Sequence, residues 1–408
     1  MKTVFKSICK LPMGVVMLGI VSMFSNAASV IVSTFSPTLV IDILHEDVSV
    51  LGNVRGITEG FAYIVKLFTG FISDYVGKRK PIVLCGYFFS ILVKPIFATA
   101  HSIVAYATAQ ALDRTTNGLR DAPRDAMIAD IAPKEYRGLA FGLRQALSAV
   151  GSTVGAFAIY LLLTYLSSSG TGKIELVRSA YWFTIVPLSV CVLVLMFFVK
   201  DPTSNTKLKD RKGFPIKKAD LKEFDIHYWF FIFIAFIFMC SRSSEVFLVN
   251  RAKELGLSVQ YHTLVLLTTY FASGISAYLM GIVADKISRK ICLLIGFLCL
   301  LVSYIMFAVY DDLTSNFISL FIYGWHFGTV QIVLFAMLTD FTPKHLKGTS
   351  FGVLSFVTAI GMIVASSLQG HVWDKFGAEV SYIVLSAILI VSIVLLLFLR
   401  VPSKDKLK

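Results

Sequence analysis

Roughly twelve apolar runs follow one another along this 408-residue chain, each near the ~20 residues that a helix needs to cross a bilayer, with short polar punctuation between them. Their cores fall at 13–35, 52–73, 81–100, 103–130, 138–166, 179–199, 227–250, 259–284, 290–310, 315–341, 347–373 and 377–400. The runs are continuous and do not alternate every second residue, which excludes an outer-membrane barrel. A mean hydropathy of +0.76 with only 15% charged residues lies far outside the range of soluble domains. The fold class is all-α integral membrane, with twelve transmembrane helices. Polar residues interrupt 103–130, 227–250 and 315–341, which makes these three the least regular spans.

The net charge of +13 raises the question of a nucleic-acid partner, and its distribution argues against one. With the N-terminus placed in the cytoplasm, 25 of the 38 Lys and Arg residues fall on inner segments. Five sit on outer loops (Lys173, Arg178, Arg251, Lys253, Lys375) and eight lie within the runs. This asymmetry is the positive-inside pattern; it puts both termini in the cytoplasm of a cell whose inner membrane the chain crosses many times. The six cysteines show no metal-ligand spacing and read as small core residues, so neither a disulfide framework nor a metal is implied. The basic segment Met1–Lys10 before an apolar run mimics a secretory signal, but the run is too long for a signal core and is read as a retained first helix. No G-x-x-x-x-G-K-[ST] loop is present, and no His, Cys or Ser constellation of an enzyme, so no cofactor is expected.

The longest hydrophilic stretch, 200–226, lies near the middle and reads as a cytoplasmic linker between an N-terminal bundle (1–199) and a C-terminal bundle (227–408). The two halves repeat. Ala126-Met127, Asp130, Pro133-Lys134, Arg137-Gly138 and Phe141-Gly142 recur 210 residues later as Ala336-Met337, Asp340, Pro343-Lys344, Lys347-Gly348 and Phe351-Gly352. Asp74 with Lys78-Arg79 matches Asp285 with Arg289-Lys290 at an offset of 211. The chain is therefore a parallel duplication of a six-helix unit. The segment Gly70 to Pro81, with Asp74, Gly77, Lys78 and Arg79, resembles the G-x-x-x-D-x-x-G-R-K loop of the major facilitator superfamily. The second copy, Gly281 to Lys290, places Ser288 where the glycine belongs, and Arg114 with Gly118 is similar to that family's fourth-helix motif. The resemblance implies two pseudo-symmetric six-helix bundles around a cavity that opens alternately to either side. It also implies that the loop charges Asp74, Lys78, Arg79, Asp285, Arg289 and Lys290, with Asp130 and Asp340, latch the outward-facing state.

Charge at membrane depth is costly and marks functional sites. The run 103–130 carries Asp113, Arg114, Arg120, Asp121, Arg124 and Asp125, which cover about half of a helix circumference at 100° per residue. A purely stabilising arrangement would pair Arg114 with Asp121, and Arg124 with Asp121 or Asp125. Pro123 is expected to kink this helix. Arg55 and Glu59 share a face with Tyr63 and Lys66; Lys94, Arg144, Arg242 and Glu245 are further intramembrane charges, and Trp325, His326 and Gln331 are the polar or amphipathic groups of run 315–341. Charge is thus concentrated in the first half. Arginine forks bind carboxylates and phosphates, so the cations suggest an anionic solute, and Glu59, Asp113 and Glu245 are candidate proton carriers.

The expected function is a monomeric secondary transporter, importing with protons a small organic anion such as a polycarboxylate or a carboxylate-type metal chelate (siderophore). The partners are then the solute, protons and lipid. Proton-driven efflux of drugs or metabolites is the alternative; Gly151 to Gly155 has glycines but not the proline of the family's efflux signature, which tips the balance to import. A non-transporting membrane receptor is the reading from another class. Counterflow of a labelled solute in proteoliposomes separates transport from it.

Overall fold

A computed structural model describes residues 11–76, 78–133, 136–201, 223–283, 287–342 and 346–400. Most of the expected linker, together with Asp285, lies outside them, as does the side chain of Asp74. Every regular element among the described residues is helical. In order they are α1 (Met13–Pro37, continued by a π-helical turn Thr38–Ile43), α2 (Val48–Val76), α3 (Lys80–Ala98), α4 (Ile103–Ile131), α5 (Arg137–Ser168), α6 (Lys173–Phe183) and α7 (Ile185–Phe198). After the linker come α8 (Ile226–Cys240), α9 (Glu245–Glu254), α10 (His262–Val283), α11 (Arg289–Val309), α12 (Leu313–Asp340) and α13 (Lys347–Phe398). Helix α13 breaks its backbone pattern at Gly377, where φ is 86°, a conformation open to glycine at no steric cost.

Among the described residues nine helical stretches are long and apolar enough to cross a bilayer. Helices α2 and α4 have 29 residues each but carry intramembrane charge. Helix α4 continues through Pro123 without interruption.

The duplication is visible in the helix ends. Ser102 caps α4 by accepting the Ala105 N–H at 3.3 Å, and 210 residues later Asp312 caps α12 by accepting the Ser315 N–H at 2.8 Å. Those hydrogen bonds hold the exposed Asp312 carboxyl below the usual carboxylate range. The loop charges follow the same register. Arg79 Nε lies 3.2 Å from Asp130 Oδ2, and Arg289 Nη1 2.6 Å from Asp340 Oδ1. Lys80 Nζ donates to the Met196 carbonyl at 3.1 Å, and Lys290 Nζ to the Leu397 and Leu399 carbonyls at 2.8 Å. Lys290 is therefore the counterpart of Lys80 and does not pair with Asp340; it caps the end of α13, where a cation suits the helix dipole. Lys78 is exposed. The loop register is 210 here, one residue short of the sequence match.

The chain divides into two compact units: Met1–Leu44 with Ile64–Lys212, and His45–Tyr63 with Gly213–Lys408. Residues 45–63 thus group with the second half. The Arg79–Asp130 and Arg289–Asp340 pairs each fall inside one unit, where they join α3 to α4 and α11 to α12. In the first unit the core includes Leu18, Val21, Tyr87, Met127 and Cys191, and α5 lies close to α1: a Cβ at Gly155 would stand 2.6 Å from Ala27 Cα. In the second, Gly52, Gly56 and Gly60 recur every four residues along α2 and meet α13 backbone at Ser366, Ile363 and Ala359. Small residues at this spacing let membrane helices approach closely, since lipid offers no hydrophobic drive for their association. A Cβ at Gly56 would sit 3.1 Å from the Ile363 carbonyl oxygen. Gly56→Val should therefore cost about 1–3 kcal/mol, the usual penalty of overpacking. The check is a lowered thermal-unfolding midpoint in detergent, and no loss should follow from a valine at the open Gly142, where a Cβ meets nothing within 4 Å.

Candidate functional site

Within the first unit, α3 and α4 bring the intramembrane charges into one buried network. Lys94 Nζ stands 2.5 Å from Asp113 Oδ1, with both side chains 2% exposed. Arg114 Nη2 reaches Asp113 Oδ2 at 3.1 Å. Where a stabilising reading of the sequence joined Arg114 to Asp121, the structure gives it the neighbouring Asp113, which is shared with Lys94, a partner contributed by α3. Arg120 is 3% exposed. It donates to Ser90 Oγ at 2.9 Å and Ser25 Oγ at 3.0 Å, and its guanidinium lies 4.4 Å from the centroid of the Tyr87 ring. Farther along, Arg124 pairs with Asp121 at 3.2 Å and Asp125 at 3.5 Å and donates to Tyr87 Oη at 3.3 Å; Arg144 Nε approaches Asp125 at 3.6 Å. The acids Asp113, Asp121 and Asp125 therefore engage Lys94, Arg114, Arg124 and Arg144, while Arg120 is held by hydroxyls and an aromatic face.

The second unit holds a feature that periodicity does not show. The apolar stretch Ile226–Glu254 leaves the helical path between Cys240 and Glu245, at the polar string Ser241-Arg242-Ser243-Ser244. Freed backbone groups at membrane depth must find partners inside the protein. Two buried tyrosines supply them. Tyr304 Oη donates to the Ser241 carbonyl at 2.9 Å and accepts the Ser243 N–H at 2.7 Å, and Tyr323 Oη donates to the Ser243 carbonyl at 2.7 Å. Ser243 Oγ donates to Gln369 Oε1 at 2.9 Å.

Arg242, at this break, lines an open recess built wholly within the second unit. Its other polar lining is neutral or amphipathic: Tyr63, His326, Gln331, Ser355 and Thr358. The apolar lining comes from Phe238, Met239, Phe327, Val330, Leu334, Phe335 and Leu354. The Arg242 guanidinium lies 4.6 Å from the Phe327 ring centroid, with the Tyr323 hydroxyl beside it. Among the described residues no carboxylate stands within ion-pair distance of it. Glu245, three residues on, accepts from Tyr270 Oη and lies 3.9 Å from Arg55, which pairs with Glu59 at 2.8 Å. His326 Nδ1 donates to the Tyr323 carbonyl at 2.6 Å, so the other ring nitrogen is the one left for a ligand.

The structure thus joins Arg55, Glu59 and Glu245 in one group, His326 and Arg242 in a second, and the α4 charges with Lys94 in a third. Trp325 packs against Phe321 at 6.4 Å between centroids and is not part of the recess; its neighbour Phe327 is. Tyr270, Tyr304 and Tyr323 were missed because nothing in an apolar run distinguishes a tyrosine that holds a distant backbone from one that only fills space. The signal available was Ser241 to Glu245 itself, five polar residues inside an apolar run.

A multi-pass helical membrane protein with a duplicated half, paired loop charges and a polar-lined recess has the features of a solute transporter. The sequence profile of the Major Facilitator Superfamily matches residues 17–251 and 230–408, and the chain belongs to that family. It is 27% identical over 400 residues to an uncharacterised transporter of this type from Methanocaldococcus jannaschii, covering 96% of each chain. It is 21% identical to the cis,cis-muconate transport protein of Acinetobacter baylyi, across 83% of this chain and 82% of that one. In structure it resembles a mutant of the nucleoside transporter NupG, with a TM-score of 0.79, 11% identity and coverage of 94% and 98%, a likeness of fold.

Asp113→Asn should leave Lys94 charged and unpaired in a dry site and cost about 3–5 kcal/mol. Combining it with Lys94→Met should recover most of the loss in thermal denaturation. Tyr304→Phe should strand both a carbonyl and an N–H of the helix break, a cost of about 1–3 kcal/mol per group, measurable in the same assay as faster proteolysis or a lower midpoint.

Proposed function

We propose that this chain imports a small organic anion together with protons, by alternating access of two six-helix halves in the inner membrane. With α2 and α4 counted and α13 divided at Gly377, the chain crosses the bilayer twelve times, and its basic inner loops keep both termini in the cytoplasm. The observation that carries the anion reading is Arg242. It is a permanent charge at membrane depth, facing an open recess, with no acid of the described residues within ion-pair distance, and Glu245 acts on it only through space. A carboxylate solute would complete its fork. A relative of similar length is named for the transport of cis,cis-muconate, a dicarboxylate, which agrees with the sign of the solute though not with a single charge.

Glu245 is the proton carrier in this reading. It accepts from Tyr270 and shares Arg55 with Glu59, so gaining or losing a proton there redistributes a small set of hydrogen bonds three residues from Arg242. The division of labour is testable in proteoliposomes. Arg242→Gln should lower both uptake and counterflow at least tenfold, as loss of a charged hydrogen bond of about 1.5–3 kcal/mol requires. Glu245→Gln should abolish uphill accumulation driven by a pH gradient while leaving counterflow within about threefold of the parent. Equal losses of both activities in Glu245→Gln would remove the proton role.

A further inference from the structure

The composition of the recess narrows the solute beyond its sign. We infer that the ligand of this site is an amphipathic monoanion: one carboxylate on an apolar, preferably aryl, body. The inference rests on the anion reading of the same recess and adds to it the number of charges and the character of the rest of the molecule.

Charge counting fixes the first point. Among the described residues the recess is lined by one cation, Arg242, and by no other Lys or Arg, and Glu245, three residues on, already acts on that cation through space. A second carboxylate would have to enter without a countercharge, and burying an unpaired ion costs several kcal/mol. The cations of the first unit do not change this count. Lys94 and Arg114 share Asp113, Arg124 and Arg144 face Asp121 and Asp125, and Arg120 is 3% exposed with both terminal nitrogens donating to serines. A polycarboxylate or a metal chelate bearing several carboxylates therefore does not suit this recess.

The walls fix the second point. Phe238 and Phe327 flank the polar corner, Phe327 already stacked under the guanidinium at 4.6 Å, and Val330, Leu334 and Leu354 extend the apolar surface. An aryl or branched alkyl body gains burial against such walls at about 25 cal/mol per Å² of apolar area, whereas a compact polar anion gains none of it. Gln331 and Thr358 leave room for one neutral hydrogen-bonding substituent.

The test is equilibrium binding to the purified full-length chain in detergent, by calorimetry, with 3-phenylpropionate, succinate, citrate, 3-phenylpropanol and 3-phenylpropylamine. The expected result is that 3-phenylpropionate binds at least tenfold more tightly than each of the others. Arg242→Gln should reduce it to the level of the alcohol, and Arg242→Lys should retain part of the preference. Succinate or citrate binding as well as 3-phenylpropionate overturns the monoanion inference and leaves the anion reading intact. The alcohol or the amine binding as well as the acid to the parent protein overturns both. Binding of none of the five overturns the aryl-body assignment. The ligand series on the parent chain decides the matter should the arginine variants fail to fold.

Discussion

Hydrocarbon offers no hydrogen bonds, so the four residues that leave the helix between Cys240 and Glu245 depend on partners brought by other helices. Tyr304 on α11 and Tyr323 on α12 provide them with two hydroxyl groups, and both rings are fully buried. This arrangement makes the break a fixed feature. It also sets the positions of Arg242 and Glu245, one within the interruption and one just after it, so that the cation faces the recess while the acid turns to Tyr270 and Arg55. Broken helices with a site at the interruption are a recurrent solution in membrane transporters because backbone dipoles and side chains converge there.

The two halves solve the same problem in opposite ways. Where α4 carries Arg114, α12 has Gly324 at the equivalent position, and a Cβ there would collide with the Thr269 carbonyl of α10. Gly328 is likewise pressed onto Ser273 and Ser276. Close helix contact leaves no space for long charged side chains, so in the second half the charge moves from the repeat position to the broken helix. In the first half, Lys94, Asp113, Arg114 and Arg120 form a network where nearly every charge has a neighbour of opposite sign or a hydroxyl. In the proposed reading the α4 cluster supports the bundle, and the charge kept for a solute is the one in the recess of the second unit.

Much of this was legible in the sequence. Helix positions and the 210-residue duplication follow from apolar length and matching spacing, which are local or periodic signals, while which of the loop cations meets Asp130 and Asp340 is seen only in the structure, as Arg79 and Arg289. The Lys94–Asp113 pair was not, because which helix supplies a buried acid's partner is tertiary information. The same holds for the helix break: Ser241 to Ser244 read as a polar interruption of one span, and only the tyrosines from α11 and α12 make leaving the helix cheaper than continuing it. Phe327 was not singled out, because the face of α12 that meets Arg242 depends on how that helix is rotated.

The account stands on Arg242 as the anchor of a single carboxylate, and a structure of the full chain with bound 3-phenylpropionate tests that most directly. The prediction is ligand density in the second-unit recess, with the carboxylate within hydrogen-bond distance of the Arg242 guanidinium and the ring against Phe238 or Phe327. Density beside Arg114 and Arg120 in the first unit, with the recess of Arg242 empty, would contradict it.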